Sequence, residues 1–141
     1  MKYGRRSISI NLTELISKLK ENFEEDENII FAYLFGGLAK NRISPISDID
    51  IAVYLRNVAN IVNEKIRILN KICDSLKYDD VDLIILNMAP ISLKGRILQN
   101  RIVIIDKDPS LRYSFESLTL RMFFDFSIKE KQILYRRYKL G

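Results

Sequence analysis

Residues 33–55 read YLFGGLAKNRISPISDIDIAVYL, where one apolar run ends in two glycines and a second begins with two aspartates. Side chains alternate across a strand, so Asp48 and Asp50 would share one face of a sheet, with Cα atoms roughly 6.6 Å apart. Unpaired charges on a strand that enters the core are costly, and a divalent cation would neutralise them. The pair therefore indicates a metal site, with a solvated turn or a helix cap as the alternative.

Gly36 and Gly37 end the first apolar run, which predicts a strand from Ile29 to Phe35. Glycines at such a point let backbone N–H groups approach a ligand closely, as phosphate-binding loops require. A short helix predicted after Gly37 would point its first N–H groups at the phosphates. A phosphate-binding loop beside two carboxylates indicates metal-assisted chemistry on a nucleoside triphosphate.

The spacing of Gly36 and Gly37, ten further residues, and then Asp48-x-Asp50 resembles the signature of the DNA polymerase β-like nucleotidyltransferases. It is most similar to the minimal nucleotidyltransferase (MNT) group, whose pattern is Gly-Ser, ten residues, Asp-x-Asp. The resemblance spans roughly residues 28–126 and extends to three residues between the two motifs: Ala39, Lys40 and Ser47.

The resemblance implies a third carboxylate on a neighbouring strand. Asp82, in the apolar run at residues 81–86, supplies it, while Asp79 and Asp80 compete for the same role. The family's site then implies two Mg²⁺ or Mn²⁺ ions, ATP as the substrate, and specific roles for seven residues. The expected metal ligands and catalytic acids are Asp48, Asp50 and Asp82; the expected nucleotide-binding residues are Gly36, Gly37, Lys40 and Ser47.

Two positions depart from the family pattern. Gly37 stands where the family usually has Ser, which removes a hydroxyl expected to help hold the triphosphate. Asn41 stands where Gly is common, but Asn also tolerates left-handed backbone angles.

Small stand-alone members of the MNT group are often antitoxins whose partners are HEPN-domain toxins. The resemblance therefore implies a metal-dependent enzyme that transfers AMP from ATP to a hydroxyl, with a tyrosine of a HEPN toxin as the expected acceptor. The alternative is an MNT-fold antitoxin that is weakly active or inactive and acts by binding its partner stoichiometrically. Gly37 favours this alternative, whereas the three retained acids favour the enzyme.

The composition bounds the chemistry further. The 141 residues include no histidine, so any metal is expected to have oxygen ligands, as Mg²⁺ or Mn²⁺ prefers. A net charge of +5 favours polyanionic ligands or an acidic protein partner, but the charges are spread out and nucleic-acid binding is not favoured. The chain shows neither a membrane-length apolar run nor a signal core, so a cytoplasmic location is expected. Cys73 is the only cysteine and reads as a buried thiol.

Periodicity predicts an α+β or α/β-like fold, with a mixed sheet of about four strands and flanking helices in one domain over residues 1–141. The predicted helices cover residues 12–24, about 59–77 and about 90–100, with Pro90 in the first turn of the last, and the predicted strands cover 29–35, 48–55, 81–86 and 102–105. A capping box at Asn11 and Glu14 begins the first helix, and the core stripe predicted for the second is Val62, Ile66, Leu69, Cys73 and Leu76. A C-terminal helical segment is expected over about 109–139, as two helices or one kinked helix, with a stripe of Leu111, Phe115, Leu118 and Met122 and a second capping box at residues 127–130. Its aromatic and basic residues indicate either packing on the domain or a surface that docks a partner.

Overall fold

The computed structural model describes residues 11–39 and 48–138. In chain order the helices are α1 (Leu12–Glu24), α2 (Gly36–Ala39), α3 (Ile61–Leu76), α4 (Ile91–Gln99) and α5 (Pro109–Tyr138). The strands are β1 (Ile29–Phe35), β2 (Ile49–Leu55), β3 (Val81–Ile85) and β4 (Arg101–Asp106), and a 3₁₀ turn spans Leu86–Met88. The α+β prediction of a mixed sheet with flanking helices is confirmed.

The strands form one sheet in the order β3-β2-β1-β4. β1 is antiparallel to both β2 and β4, whereas β2 is parallel to β3 and is joined to it by α3. Both faces of the central strands are covered, which explains why β1 reads as a continuous apolar run. One face packs on α1 and α3, and the other packs on α4 and the first half of α5.

Local sequence signals account for the helix starts. Asn11 Oδ1 accepts a 2.8 Å hydrogen bond from the Glu14 backbone N–H, so the predicted cap of α1 is present. Asp108 Oδ1 accepts from the Leu111 backbone N–H at the start of α5, where Pro109 is the first helical residue. Pro90 lies one residue before α4, at its N-cap.

Two helical stripes were predicted correctly only in part. Leu69 and Leu76 of α3, and Leu111 and Phe115 of α5, pack against the core as predicted. In α3 the predicted core residues Val62 and Ile66 are exposed, and Ile68 and Ile72 are buried instead. α5 is one continuous helix, so the capping box predicted at residues 127–130 lies inside it and does not begin a separate helix. Two residues of its predicted stripe, Leu118 and Met122, are exposed, whereas Glu116 and Thr119 are buried.

Glu116 is buried because cations and a hydroxyl surround it. Its Oε2 accepts hydrogen bonds from the Tyr33 hydroxyl (2.7 Å), from Arg101 Nη2 (2.9 Å) and from Arg112 Nη1 (3.0 Å). Arg112 also donates from Nε to Asp106 at 2.6 Å. This network ties α5 to β1 and β4, and it replaces the apolar contact that periodicity predicted.

Cys73 is only partly buried, in contrast to the buried thiol that was predicted, and this burial raises the pKa of its thiol. Over residues 11–39 and 48–138, no helix is both long and apolar enough to cross a membrane.

Glu116→Gln should destabilise the fold by about 2 kcal/mol, because a buried charged acceptor loses its charge-assisted bonds. Burial favours a raised pKa for Glu116, but its bonds to Tyr33, Arg101 and Arg112 lower the pKa below 4.5 overall. The stabilisation is therefore complete above pH 4.5 and is lost as pH falls through the lower folded pKa. Urea unfolding at neutral and acidic pH measures both effects.

The matched control is Glu130→Gln, a change at an exposed site on the same helix, which should alter stability by less than about 0.5 kcal/mol. Equal stability of the two variants at pH 7 would contradict the role of Glu116.

Candidate active site

Strand register brings the predicted acids together at one edge of the sheet. Asp50 of β2 is paired with Asp82 of β3 in the parallel ladder. Residues paired directly across a sheet point to the same face, and neighbouring strands lie about 4.8 Å apart. Asp48 precedes β2 by one residue and is exposed. Asp82 is thus the acid that faces Asp50 across the parallel ladder.

The pKa of Asp50 also reflects the closeness of the other two acids. Burial, followed by the negative charges of Asp82 and Asp48, raises the pKa of Asp50 from 3.8 to about 6. Like charges held close together in a partly buried site each disfavour ionisation of the other. The charges of Asp48 and Asp82 therefore both act on Asp50, which lies at the centre of the three carboxylates.

The alternatives to Asp82 lie outside the sheet. β3 begins at Val81, so Asp79 and Asp80 precede the strand. Their backbone carbonyls instead accept hydrogen bonds, from the Val81 N–H to Asp79 O (2.9 Å) and from the Ile49 N–H to Asp80 O (3.0 Å). The second of these bonds joins the segment before β3 to the first residue of β2, in the same register that pairs Asp82 with Asp50.

Gly36, the first residue of α2, follows β1 directly and lies in contact with Asp50. Its φ is +74°, a conformation that residues with a side chain rarely adopt. A Cβ at Gly36 would overlap Asp50 Oδ2 and lie 3.1 Å from Asp50 Cγ. Position 36 must therefore be glycine for two reasons: its positive φ and the Asp50 carboxylate packed against it. Gly37 follows within α2, and no positive φ is found there.

The remaining predicted contacts cannot be placed. Lys40, Asn41 and Ser47 lie outside the described residues, between α2 and Asp48. The proposed contacts of Lys40 and Ser47 with the triphosphate therefore remain predictions.

The structure adds two residues to the site that the sequence did not indicate. Phe35 is paired with Asp50 across β1 and β2, and Arg101 is paired with Phe35 across β1 and β4. Asp82, Asp50, Phe35 and Arg101 thus form one row across all four strands. The Arg101 Cα lies roughly 10 Å from that of Asp50 by strand spacing. Arg101 directly precedes the predicted strand at residues 102–105, where a charged residue reads as part of a loop.

The acids supply oxygen donors for a metal ion but do not form a complete cage for one. Within residues 11–39 and 48–138, no three Asp, Glu, Cys or His side chains are close enough to form a ready-made metal cage. Mg²⁺, however, is usually held by one or two carboxylates together with substrate phosphates and water. Asp50, facing Asp82 with a raised pKa, supplies oxygen donors whose mutual repulsion a cation would relieve. The residues therefore fit a magnesium ion that binds with its nucleotide.

Asp50→Asn should raise the melting temperature of the metal-free protein at pH 7. The carboxyl has a pKa of about 6 in the folded protein, above its ordinary value of 3.8, so its ionisation destabilises the fold as pH rises from about 4 to 6. The effect is absent below that window and complete above it. Thermal unfolding in EDTA from pH 4 to pH 8 measures it, with exposed Asp125→Asn as the control. A variant melting at or below the wild-type temperature at pH 7 would contradict the clustering.

Gly36→Ala should destabilise the protein by about 1–3 kcal/mol, because the new Cβ meets Asp50 and the positive φ becomes strained. Gly37→Ser is the matched control and should change stability by less than about 1 kcal/mol. Urea unfolding of both variants measures the difference. Equal losses of unfolding free energy in the two variants would show that the contact with Asp50 is not the reason why position 36 must be glycine.

Solved structures with a similar fold come from toxin–antitoxin complexes. One, of a toxin–antitoxin with AMP-PNP, is 23% identical with a TM-score of 0.69, over 92% of this chain and 99% of that chain. Another, of the toxin–antitoxin MntA-HepT, is 21% identical with a TM-score of 0.66, over 89% of this chain and 98% of that chain. A third holds a tri-AMPylated Shewanella oneidensis HEPN toxin in complex with an MNT antitoxin. It is 22% identical with a TM-score of 0.62, over 89% of this chain and 94% of that chain.

A comparison with curated protein sequences gives no match. The family model described as "Polymerase beta, Nucleotidyltransferase" matches residues 17–110, which include β1 to β4 and the three acids. This match confirms the nucleotidyltransferase prediction that the two motifs supported. The chain belongs to the polymerase beta nucleotidyltransferase family.

Proposed function

We propose that this protein transfers AMP from ATP to a tyrosine hydroxyl of a HEPN-domain toxin and thereby acts as its antitoxin. The observation that carries the proposal is the pairing of Asp50 with Asp82 beside Gly36, because two carboxylates beside a glycine loop are the arrangement that metal-assisted nucleotidyl transfer requires. Complexes described as an MNT antitoxin with a tri-AMPylated HEPN toxin, and as a toxin–antitoxin with AMP-PNP, support the acceptor and the nucleotide.

Each residue of the site has a role in this proposal. Asp48 and Asp50 would hold Mg²⁺ together with the triphosphate, and the backbone N–H groups of Gly36 and Gly37 would bind the phosphates. Two Mg²⁺ or Mn²⁺ ions would neutralise the triphosphate charge and lower the pKa of the attacking hydroxyl. Lys40 and Ser47 are proposed as further phosphate contacts.

The reaction is an in-line displacement. The tyrosine oxygen forms a bond to the α-phosphorus of ATP, and the bond from that phosphorus to pyrophosphate breaks. Asp82 is exposed and faces Asp50, so it can reach an acceptor that approaches from solvent. We assign to Asp82 the hydroxyl proton, which leaves the acceptor as the new phosphodiester forms.

A second candidate function is inhibition by binding alone. Gly37 favours it, because a glycine offers the phosphates a backbone N–H but no hydroxyl. The acid cluster argues against it, since three interacting carboxylates destabilise a protein that has no cation to bind there.

Asp48→Asn should abolish transfer while leaving partner binding intact, because it removes a metal ligand at an exposed position. The test co-expresses this chain with the protein encoded by the adjoining reading frame, and intact mass spectrometry then counts the AMP units on that partner. The control is Asp74→Asn on α3, whose side chain is also exposed.

AMP additions that persist with Asp74→Asn and vanish with Asp48→Asn would support the enzyme. An unmodified partner, inhibited in a tight complex with the wild-type protein, would establish binding alone. Gly37→Ser, which restores the usual family residue, should increase the fraction of modified partner.

A further inference from the structure

α5 carries a second apolar stripe on the side that does not pack on the domain. Its buried side is marked by Glu116 and Thr119, with Phe123 packed against Gly95 of α4. At 100° per residue, the second stripe is centred roughly 120° around the helix from that side. We call it the outer stripe, and its residues are Tyr113, Leu120, Phe124, Ile128, Tyr135 and Tyr138.

All six residues of the outer stripe are exposed, with Phe124 at 66% and Tyr135 at 56% of their full accessibility. The stripe extends for about 37 Å at 1.5 Å per residue. Single exposed apolar residues are ordinary, but six large ones along one line, interrupted by Ser117 and Lys131, mark an interaction surface. A helix that is apolar on two sides is normally covered on both. The domain covers one side of the first half of α5, and residues 128–138 are exposed all round.

The charges of the second half of α5, of which Arg121 and Lys131 lie closest to the stripe, indicate what covers it. Residues 121–138 contain five basic and two acidic side chains, so the second half of α5 is positively charged. A second copy of the same helix would place like charges against each other, whereas an acidic partner would be complementary. The aliphatic residues Leu120 and Ile128 favour a protein over a nucleic acid, which is bound through stacking and phosphate contacts.

The position of α5 connects this surface to the site. Arg101, at the end of the row that contains Asp50 and Asp82, binds Glu116 of α5. The residues of that row share the sheet face on which α4 and α5 pack. A partner that lies along the outer stripe is therefore on the same side of the sheet as the acids.

We propose that the outer stripe docks an amphipathic helix of a partner protein, whose own apolar stripe is flanked by acidic residues. The identity of that partner as the AMP acceptor rests on the proposed function; the docking surface does not. Docking here would hold the acceptor on the catalytic face during transfer.

The test uses the full-length chain with Phe124→Asp and Tyr135→Asp, and the purified protein encoded by the adjoining reading frame as the probe. Isothermal titration calorimetry should show binding weaker by roughly thirtyfold or more, as loss of two buried aromatic anchors predicts. Raising the salt concentration should weaken wild-type binding, because the flanking charges contribute. Phe124→Ala with Tyr135→Ala provides a second variant without added charge, and binding should be weakened in the same direction.

The matched control is Ser114→Asp with Gln132→Asp, which adds the same charge at exposed polar positions of α5 outside the outer stripe. It should bind within about threefold of the wild type. Circular dichroism and Mg-ATP binding should be unchanged in all variants, since both substituted sets are exposed. Binding that is equal in the stripe and control variants would overturn the proposal, as would failure of the wild-type chain to bind the probe.

Three further outcomes separate the possibilities. A wild-type dimer that the stripe variants convert to a monomer would assign the surface to a second copy and overturn the proposal. Stripe-dependent binding of an RNA oligonucleotide, without binding of the protein probe, would also overturn it. Stripe-dependent protein binding without AMP transfer would refute the proposed function and leave the docking surface standing.

Discussion

The pairing of Phe35 with Asp50 across β1 and β2 is the constraint on which the site depends. This register places Gly36, the next residue of the chain, against the Asp50 carboxylate, where no side chain would fit. From Asp50 the parallel ladder reaches Asp82 on one side, and from Phe35 the antiparallel ladder reaches Arg101 on the other. A shift of one residue would turn Asp50 to the α1 and α3 face and dismantle the row.

The apolar face of β2 maintains this register against the repulsion of the acids. Ile49, Ile51 and Val53 alternate with Asp50 and are fully buried beneath α1 and α3. Burying each such side chain stabilises the strand by about 1.5–3 kcal/mol, which outweighs the cost of one partly buried carboxyl with a raised pKa. The site is thus a local source of instability that the core tolerates, as is common where function requires close like charges.

Sequence patterns located an element well where its signal lay within the element itself. The predicted bounds of α1 and β1 match the structure, because a cap at Asn11 and an uninterrupted apolar run are local signals. The rotation of α3 was missed: Val62 and Ile66 are exposed, and the buried face lies roughly 80° away. In α5 both sides are apolar, so periodicity could not indicate which side packs on the domain. The side that packs contains Glu116. Its burial is possible only because Tyr33, Arg101 and Arg112 donate hydrogen bonds to it.

The sequence by itself determined the chemistry: two glycines, three acids, no histidine, and a spacing that identified the nucleotidyltransferase family. Those signals lie in the residue types and their spacing, so they can be read without knowledge of the fold. Only the tertiary structure decided that Asp82 rather than its neighbours faces Asp50, that Gly36 is the glycine in contact with the acids, and that α5 leaves a stripe uncovered. Each of these depends on register or helix rotation, which long-range packing sets and no short stretch of sequence encodes.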